Sequence, residues 1–174
     1  MRVGIGFDVH RLTPDRRLVL GGVEIPFELG LAGHSDADVL VHAVMDALLG
    51  AAGLPDIGQQ FPDDDPRYAG ADSCALLAEV VGMLAGSGLR VVNVDAVVAC
   101  ERPKLAPHVQ AMREKLGRVL GLDAGRVSIK ATTTEGLGYT GRGDGSPKGV
   151  AAWAVALVSE ISGQGVEQGV LPEA

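Results

Sequence analysis

Two side chains that commonly bind metal ions stand two residues apart near the start of the chain. Asp8 and His10 belong to a segment whose alternate positions are apolar, namely Met1, Val3, Ile5, Phe7 and Val9. A period of two predicts a β-strand that directs Asp8 and His10 from the same side. Carboxylate and imidazole are ordinary zinc ligands, and a catalytic zinc takes three protein ligands with a fourth position open. Because an Asp-x-His triplet also arises by chance with both groups solvated, a metal site needs a third ligand.

His42 is the candidate third ligand. It lies in an apolar stretch that predicts a helix from residue 35 or 36 to about residue 50, in which Asp38, His42 and Asp46 recur at intervals of four. The two carboxylates could hydrogen-bond the imidazole nitrogen that faces away from the metal. Alternatively, the three residues are the solvated face of an amphipathic helix. In combination with the first pair of ligands, we favour the metal site.

Groups that attract phosphate stand just before this helix. His34 and Ser35 would meet the free N–H groups of its first turn, where a phosphate oxygen is stabilised. Ser35 or Asp36 is also a good N-cap, and a capped helix start can still bind an anion.

Residues 131–136, Ala-Thr-Thr-Thr-Glu-Gly, form a second cluster of oxygen ligands. Hydroxyls and a carboxylate at a strand end could hold a diphosphate and a hydrated Mg²⁺ ion. The spacing of Thr132 and Glu135 fits a helix capping box equally well. The GxGxxG pattern over 136–141 is discounted as a dinucleotide site, because more glycines follow it where such a site requires a helix.

Composition excludes several classes of protein. The chain has 174 residues and a formal charge of -7, which disfavours a nucleic-acid surface. Its two cysteines, Cys74 and Cys100, form no CxxC pair, and Cys100 is expected to be a buried apolar side chain rather than a nucleophile. We find neither a signal peptide nor an apolar stretch long enough to span a membrane. A soluble cytoplasmic protein without a nucleic-acid or membrane partner is expected.

Hydrophobic periodicity predicts the elements that position these groups. Strands are expected over 1–10, 91–100, 127–133 and 150–158, a hairpin over 18–25, helices over 36–50, 72–85 and 107–120, and a long loop over 53–70. The strand, helix and strand that follow residue 91 predict a parallel crossover. We expect one α+β (α/β-like) domain over 1–160, with a mixed sheet of about four main strands, helices on one face and a small hairpin. Residues 161–174 are predicted to form a loose tail.

The order and spacing of these motifs resemble one enzyme family. The segments are Gly6-Phe7-Asp8-Val9-His10, Gly33-His34-Ser35-Asp36 with His42, Asp56-Ile57-Gly58, Phe61-Pro62-Asp63, and 131–135 through Gly141-Arg142-Gly143. Together they resemble the 2-C-methyl-D-erythritol 2,4-cyclodiphosphate synthases of the non-mevalonate isoprenoid pathway. The resemblance implies a lyase that releases CMP from 4-diphosphocytidyl-2-C-methyl-D-erythritol 2-phosphate as the cyclic diphosphate forms. It also implies a homotrimer with active sites between adjacent subunits.

The resemblance further implies roles for individual residues. Asp8, His10 and His42 would hold Zn²⁺ or another divalent ion, and Glu135 a second ion, Mg²⁺ or Mn²⁺, that bridges the diphosphate. His34 and Thr133 would stabilise the transition state. Substrate contacts would come from Asp8, His10, His34, Ser35, Asp56, Ile57, Gly58, Phe61, Asp63, Asp65, Cys100, Pro103, Lys104, Leu105, Ala106, Ala131, Thr132, Thr133, Glu135, Tyr139 and Arg142. Of these, 100–106 with 131 and 132 correspond to the cytidine-binding part.

Two other functions use the same groups. A metal-dependent phosphohydrolase would employ the ligands to activate water, and a trimeric nucleotide-binding regulator would keep the metal as a structural element. The chain departs from the family at two places, with Tyr139 where the family usually has Phe and residues 146–149 as an insertion before the last strand, so the resemblance implies no particular ligand for the central trimer cavity. The acidic loop over 56–65 is expected to close on the substrate.

Overall fold

The computed structural model describes residues 1–144 and 146–161, and the predicted tail lies outside them apart from Ile161. Five strands form the main sheet in the order β4-β1-β7-β5-β6, and β2 and β3 form a separate hairpin. The strands are β1 (Arg2–Thr13), β2 (Leu18–Leu20), β3 (Val23–Ile25), β4 (Gly30–Leu31), β5 (Leu89–Cys100), β6 (Val127–Thr132) and β7 (Gly149–Glu160). Since β5 and β6 pair in parallel and the other neighbours are antiparallel, the predicted mixed α+β sheet is confirmed.

The helices are α1 (Val39–Ala52), α2 (Ile57–Gln60), α3 (Ser73–Gly86) and α4 (Val109–Leu120). The described residues also contain three 3₁₀ turns, Pro66–Tyr68, Ala106–His108 and Ala124–Arg126. The predicted long loop therefore contains α2 and a 3₁₀ turn, and the helix expected from residue 107 begins at Val109 after another turn. No helix in the described part of the chain is long and apolar enough to cross a membrane.

Helix α1 begins three residues later than predicted. Ala37 has a φ of 60°, in the left-handed region, and Asp38 in extended conformation accepts a hydrogen bond from the Val41 N–H at 3.1 Å. The prediction that Ser35 or Asp36 is the N-cap is therefore wrong, because Asp38 has that role. Residues 33–37 form an irregular segment ahead of the helix, and this segment lines the pocket described below.

The two faces of the sheet have unlike surroundings. Helix α1 packs against β1 and β7, whereas α3 and α4 cover β5 and β6. On the opposite face of β1 the side chains of Val3, Ile5 and Phe7 are 67, 72 and 42% exposed. The apolar side of the β1 alternation thus lies away from the helices, and the side that carries Asp8 and His10 faces them.

Candidate metal centre and substrate pocket

Glycine brings helix α1 unusually close to strand β1. A Cβ atom at Gly6 would overlap the Ala43 carbonyl oxygen and lie 2.7 Å from the Ala47 nitrogen, and one at Gly4 would meet the next helical turn. Because neither position carries a side chain, the backbone of α1 rests directly on the strand. The next residues on this side of β1 are Asp8 and His10, so the close approach places His42 over both.

The three predicted metal ligands converge. His42 Nδ1 lies 2.9 Å from Asp8 Oδ2 and 3.3 Å from His10 Nε2, and His10 Nε2 lies 3.0 Å from the same carboxylate oxygen. Bonds of about 2.0–2.1 Å to a tetrahedral zinc place neighbouring ligand atoms about 3.3 Å apart. The spacing of these atoms and the donor set of one carboxylate and two imidazoles therefore fit a zinc site with an open position. In the described residues this is the one cluster of this kind.

The charges of this cluster support one another. Burial raises the pKa of Asp8, but its side-chain contacts with the imidazoles of His10 and His42 outweigh that effect and hold its pKa well below the usual value. For His10, burial lowers the pKa, whereas the hydrogen bond to Asp8 raises it, and the net shift is upward. The Asp8 carboxylate is consequently anionic across the physiological pH range.

The groups behind His42 differ from those predicted. Asp38 is fully buried and accepts the N–H groups of Gly21 and Gly22 at 2.9 and 2.6 Å, so it fixes the hairpin turn to α1. Burial raises the pKa of Asp38 to about 6, and these N–H groups oppose the shift. Asp46 accepts the Ile57 N–H at 2.9 Å. Neither carboxylate contacts the imidazole, and they do not form a solvated stripe either.

Two serine hydroxyls take the place expected of those carboxylates. His42 Nε2 lies 3.1 Å from Ser73 Oγ and 3.2 Å from Ser35 Oγ. Ser73 is fully buried at the first position of α3, 31 residues away in sequence. Nothing in the local sequence pattern marks Ser73, since its proximity to His42 depends on how α3 packs on α1.

A cavity of about 330 Å³ adjoins the metal ligands. His10 and His42 form one end of it, and the walls include the predicted residues His34, Ser35, Ile57, Gly58, Phe61 and Asp63. Met45, Tyr68 and Leu76 also line it and were not predicted, because an apolar pocket wall cannot be distinguished from core by sequence alone.

Asp56 and Asp65, the predicted substrate contacts at the two ends of the acidic loop, do not line this cavity. Asp56 caps α2 and accepts hydrogen bonds from the backbone and side chain of Gln59, which lower its pKa. Asp65 caps the following 3₁₀ turn, and the side chain of Arg67 lowers its pKa in the same way. Both carboxylates therefore hydrogen-bond within the loop itself.

The second predicted cluster of oxygen ligands, residues 131–136, lies apart from Asp8, His10 and His42 within one chain. Strand register places Val9, Ala151, Ala99 and Thr132 in one row across the sheet. Three strand spacings of about 4.8 Å separate the first from the last by about 14 Å. None of the residues from 99 to 142 lines the 330 Å³ cavity, although both groups lie at the same end of the sheet.

Thr133 and Glu135 are already in contact. The Thr133 hydroxyl donates to Glu135 Oε1 at 2.8 Å, and Glu101 anchors the same turn by accepting the Thr134 N–H at 2.7 Å and its hydroxyl at 2.9 Å. These bonds, led by that from the Thr134 N–H, lower the pKa of Glu101. Strand β6 ends at Thr132 and turns follow it, so the alternative that Thr132 and Glu135 form a helix capping box is wrong.

The predicted cytidine-binding segment contacts this turn through Glu101. It begins at Cys100, the last residue of β5, and Ala131 and Thr132 lie at the end of the neighbouring parallel strand β6. Pro103, Lys104 and Ala106 flank Leu105, which is buried. Cys100 is buried as well, and burial raises the pKa of its thiol to about 12, as expected for an apolar position rather than a nucleophile.

Tyr139 and Arg142 lie on a different surface. Both line a second cavity with Val9, Arg11 and Lys148, next to the exposed apolar face of the sheet. The Tyr139 ring lies 6.4 Å from that of Phe7, which in turn lies 5.0 Å from Trp153.

Comparison with known proteins agrees with this geometry. Residues 1–159 match the model of the YgbB family. The chain belongs to that family. A relative from Symbiobacterium thermophilum, named 2-C-methyl-D-erythritol 2,4-cyclodiphosphate synthase, is 61% identical over 91% of this chain and 99% of its own length. A synthase of the same name from Trichlorobacter lovleyi is 56% identical over 91% of this chain and 98% of its own.

Solved structures of YgbB relatives share the fold. A 2C-methyl-D-erythritol-2,4-cyclodiphosphate synthase in a CDP-bound form superimposes with a TM-score of 0.82 at 40% identity, over 91% of this chain and all of that one. The bifunctional IspDF of Campylobacter jejuni gives a TM-score of 0.85 at 40% identity, over 91% of this chain and 42% of that protein. The predicted family is therefore confirmed.

Proposed function

We propose that the chain converts 4-diphosphocytidyl-2-C-methyl-D-erythritol 2-phosphate into 2-C-methyl-D-erythritol 2,4-cyclodiphosphate and CMP, in the non-mevalonate route to isoprenoids. The observation that carries the proposal is the convergence of Asp8, His10 and His42 at one end of a pocket, in a chain 61% identical to a synthase of that name.

The reaction brings two anionic phosphates together. An oxygen of the 2-phosphate attacks the β-phosphorus, and the bond from that phosphorus to the bridging oxygen breaks to release CMP. Zn²⁺ at Asp8, His10 and His42, and Mg²⁺ or Mn²⁺ near Glu135, would lower the repulsion between the phosphates. Because the attacking oxygen belongs to the substrate, the protein needs no nucleophile, in keeping with the buried Cys100.

The chain's own residues position the substrate. His34 and Ser35 line the cavity beside the metal ligands and offer hydrogen-bond donors to the erythritol phosphate, with Ile57, Gly58, Phe61 and Asp63 along the wall. Thr133 offers a hydroxyl to the transferred phosphoryl group, and residues 100–106 with 131 and 132 hold the cytidine. Catalysis would then rest on alignment and on charge stabilisation in a site shielded from water.

The complete site would form between subunits of a homotrimer. Within one chain the metal ligands and Thr133 are separated by about three strand spacings, or 14 Å. The exposed side of β1 and β7 carries Val3, Ile5 and Val155, an apolar surface of the kind that subunit interfaces cover. Trimerisation through this surface would bring the Thr133 turn of one subunit to the metal ligands of the next.

One assay distinguishes the candidate functions. The protein is incubated with the cytidylylated substrate, and the phosphorus species are followed by ³¹P NMR. CMP with a cyclic diphosphate is the expected result. Inorganic phosphate would instead indicate a metal-dependent hydrolase, and a lack of turnover a nucleotide-binding regulator; either result would overturn the proposal.

The closing of the acidic loop has a separate test. One cysteine introduced into the loop and one introduced into α1 would form a disulfide that fixes the loop to the helix. We expect turnover to fall when the disulfide forms and to recover when it is reduced. Equal turnover in the two states would contradict closure of the loop.

A further inference from the structure

Asp36 and Ser73 are joined to His42 in a continuous chain of hydrogen bonds. Ser73 Oγ donates to Asp36 Oδ1, and the Ser73 N–H donates to Asp36 Oδ2 at 3.1 Å. Ser73 Oγ also lies 3.1 Å from His42 Nε2. We propose that Asp36 and Ser73 are positioning residues that keep the hydrogen of His42 on Nε2, so that Nδ1 presents its lone pair to the metal.

The direction of these bonds follows from counting hydrogens. A carboxylate only accepts, so the single hydroxyl hydrogen of Ser73 is committed to Asp36. The oxygen of Ser73 can then only accept from His42, which requires the hydrogen on Nε2. The opposite ring atom, Nδ1, is the one that faces Asp8 Oδ2 and His10 Nε2.

Ser35 cannot fix this direction by itself. Its Oγ accepts the Ala37 N–H at 3.1 Å and lies 3.2 Å from His42 Nε2, but no carboxylate in the described part of the chain takes its hydroxyl hydrogen. That hydrogen remains available to the cavity, which Ser35 lines. The two serines therefore differ: one faces the pocket, and the other is fully buried and bound to Asp36.

The backbone holds this chain of bonds in place. The segment before α1 is joined to the one before α3 by hydrogen bonds from Gly70 N to His34 O at 2.8 Å and from Asp36 N to Ala71 O at 3.0 Å. Asp72 separately caps α3 by accepting the Cys74 N–H at 2.8 Å. Since Asp72 already supplies the cap, the Ser73 hydroxyl is not needed for that purpose.

The inference rests on the proposed metal at His42, and its test uses two variants and one control. Ser73→Ala removes the acceptor. Asp36→Asn keeps the size but lets the amide donate to Ser73, whose hydroxyl would then donate to His42 Nε2 and favour the wrong tautomer. Ser87→Ala is the matched control, because this serine is exposed at the other end of α3 and, among the described residues, its hydroxyl bonds only the Met83 carbonyl oxygen.

Zinc affinity is measured by competition with a chelator, and the His42 ring by long-range ¹H–¹⁵N NMR. We expect Ser73→Ala and Asp36→Asn to bind zinc about 10- to 100-fold more weakly. The ring hydrogen on Nε2 should exchange slowly in the wild type and in Ser87→Ala and rapidly in Ser73→Ala, while Asp36→Asn shifts the zinc-free ring towards the Nδ1–H form.

Zinc affinities within about threefold of wild type in both variants, or weaker binding with an unchanged ring signal, would overturn the inference. If Ser73→Ala also lowers the melting temperature, Asp36→Asn decides, since its tautomer shift is not a consequence of unfolding. Turnover of the wild type is recorded in parallel. If the wild type turns over the substrate while both variants keep the zinc affinity and ring signal of the wild type, only the role of Asp36 and Ser73 is contradicted. If the wild type binds zinc but does not turn over the substrate, the proposed function is contradicted.

Discussion

The two groups that make up the proposed site are built in different ways. Asp8, His10 and His42 project from a strand and a helix in direct backbone contact, and hydroxyls and a carboxylate stand behind them. Thr133 and Glu135 lie on exposed turns after β6, where Glu135 itself has a φ of 55°. The difference indicates that one chain brings Asp8, His10 and His42 together by itself, whereas under the proposal the Thr133 turn would acquire its final surroundings from the substrate and a second chain.

Loss of a metal ligand should have the largest effect on activity. His42→Ala removes one of the three proposed ligands. We expect the variant to lose its bound zinc and the rate of CMP release to decrease by about three orders of magnitude or more. Bound zinc is measured by atomic absorption and CMP release by chromatography. Wild-type activity in this variant would invalidate the assignment of the site.

The contact between β1 and α1 can be tested without altering a ligand. Gly6→Ala pushes a Cβ into the backbone of α1, and we expect a loss of about 3 kcal/mol or more in the free energy of unfolding. Gly82→Ala is the control, because that helical position faces open space and should gain up to about 1 kcal/mol. Urea denaturation measures both; similar stabilities of the two variants would mean that α1 does not rest on the strand.

Thr133 distinguishes the two groups. Thr133→Val removes the hydroxyl and keeps the shape, and we expect kcat to fall about 10²- to 10³-fold while zinc binding stays at the wild-type level. Thr133→Ser should recover much of the lost rate. If Thr133→Val loses zinc as well, the two groups are not independent.

The smallest effect is expected at Glu101. Glu101→Gln keeps one side-chain oxygen to accept the two hydrogen bonds from Thr134 but removes its negative charge, so both bonds weaken and the Thr133 turn should become less ordered. We expect kcat to fall by less than about tenfold, with no change in zinc affinity. Steady-state kinetics would contradict this anchoring role if Glu101→Gln and wild type had the same kcat.

The sequence predicted the elements and the convergence of Asp8, His10 and His42 well, because both depend on local periodicity. The alternation in β1 placed Asp8 and His10 on one side, and the strand, helix and strand after residue 91 predicted the parallel pair. Motif spacing then identified the family.

Contacts that depend on how the helices pack could not be predicted from the sequence. Asp38 and Asp46 have suitable spacing to support His42, yet Asp38 binds a hairpin turn and Asp46 the start of α2. Ser73 supports the imidazole only because α3 packs beside α1, and no period relates residues 42 and 73. The side of β1 covered by helices was also unpredictable, since glycines rather than large apolar residues face α1.

Mixing two inactive variants tests most directly whether the site is shared between chains. His42→Ala retains the Thr133 turn, and Thr133→Val retains the metal ligands. After the subunits are exchanged in equal amounts, a cyclic trimer should contain wild-type groups on both sides of about a quarter of its sites, and CMP release should rise to about that fraction of the wild-type rate. No recovery of activity, with subunit exchange verified by native mass spectrometry, would contradict a site formed by two chains.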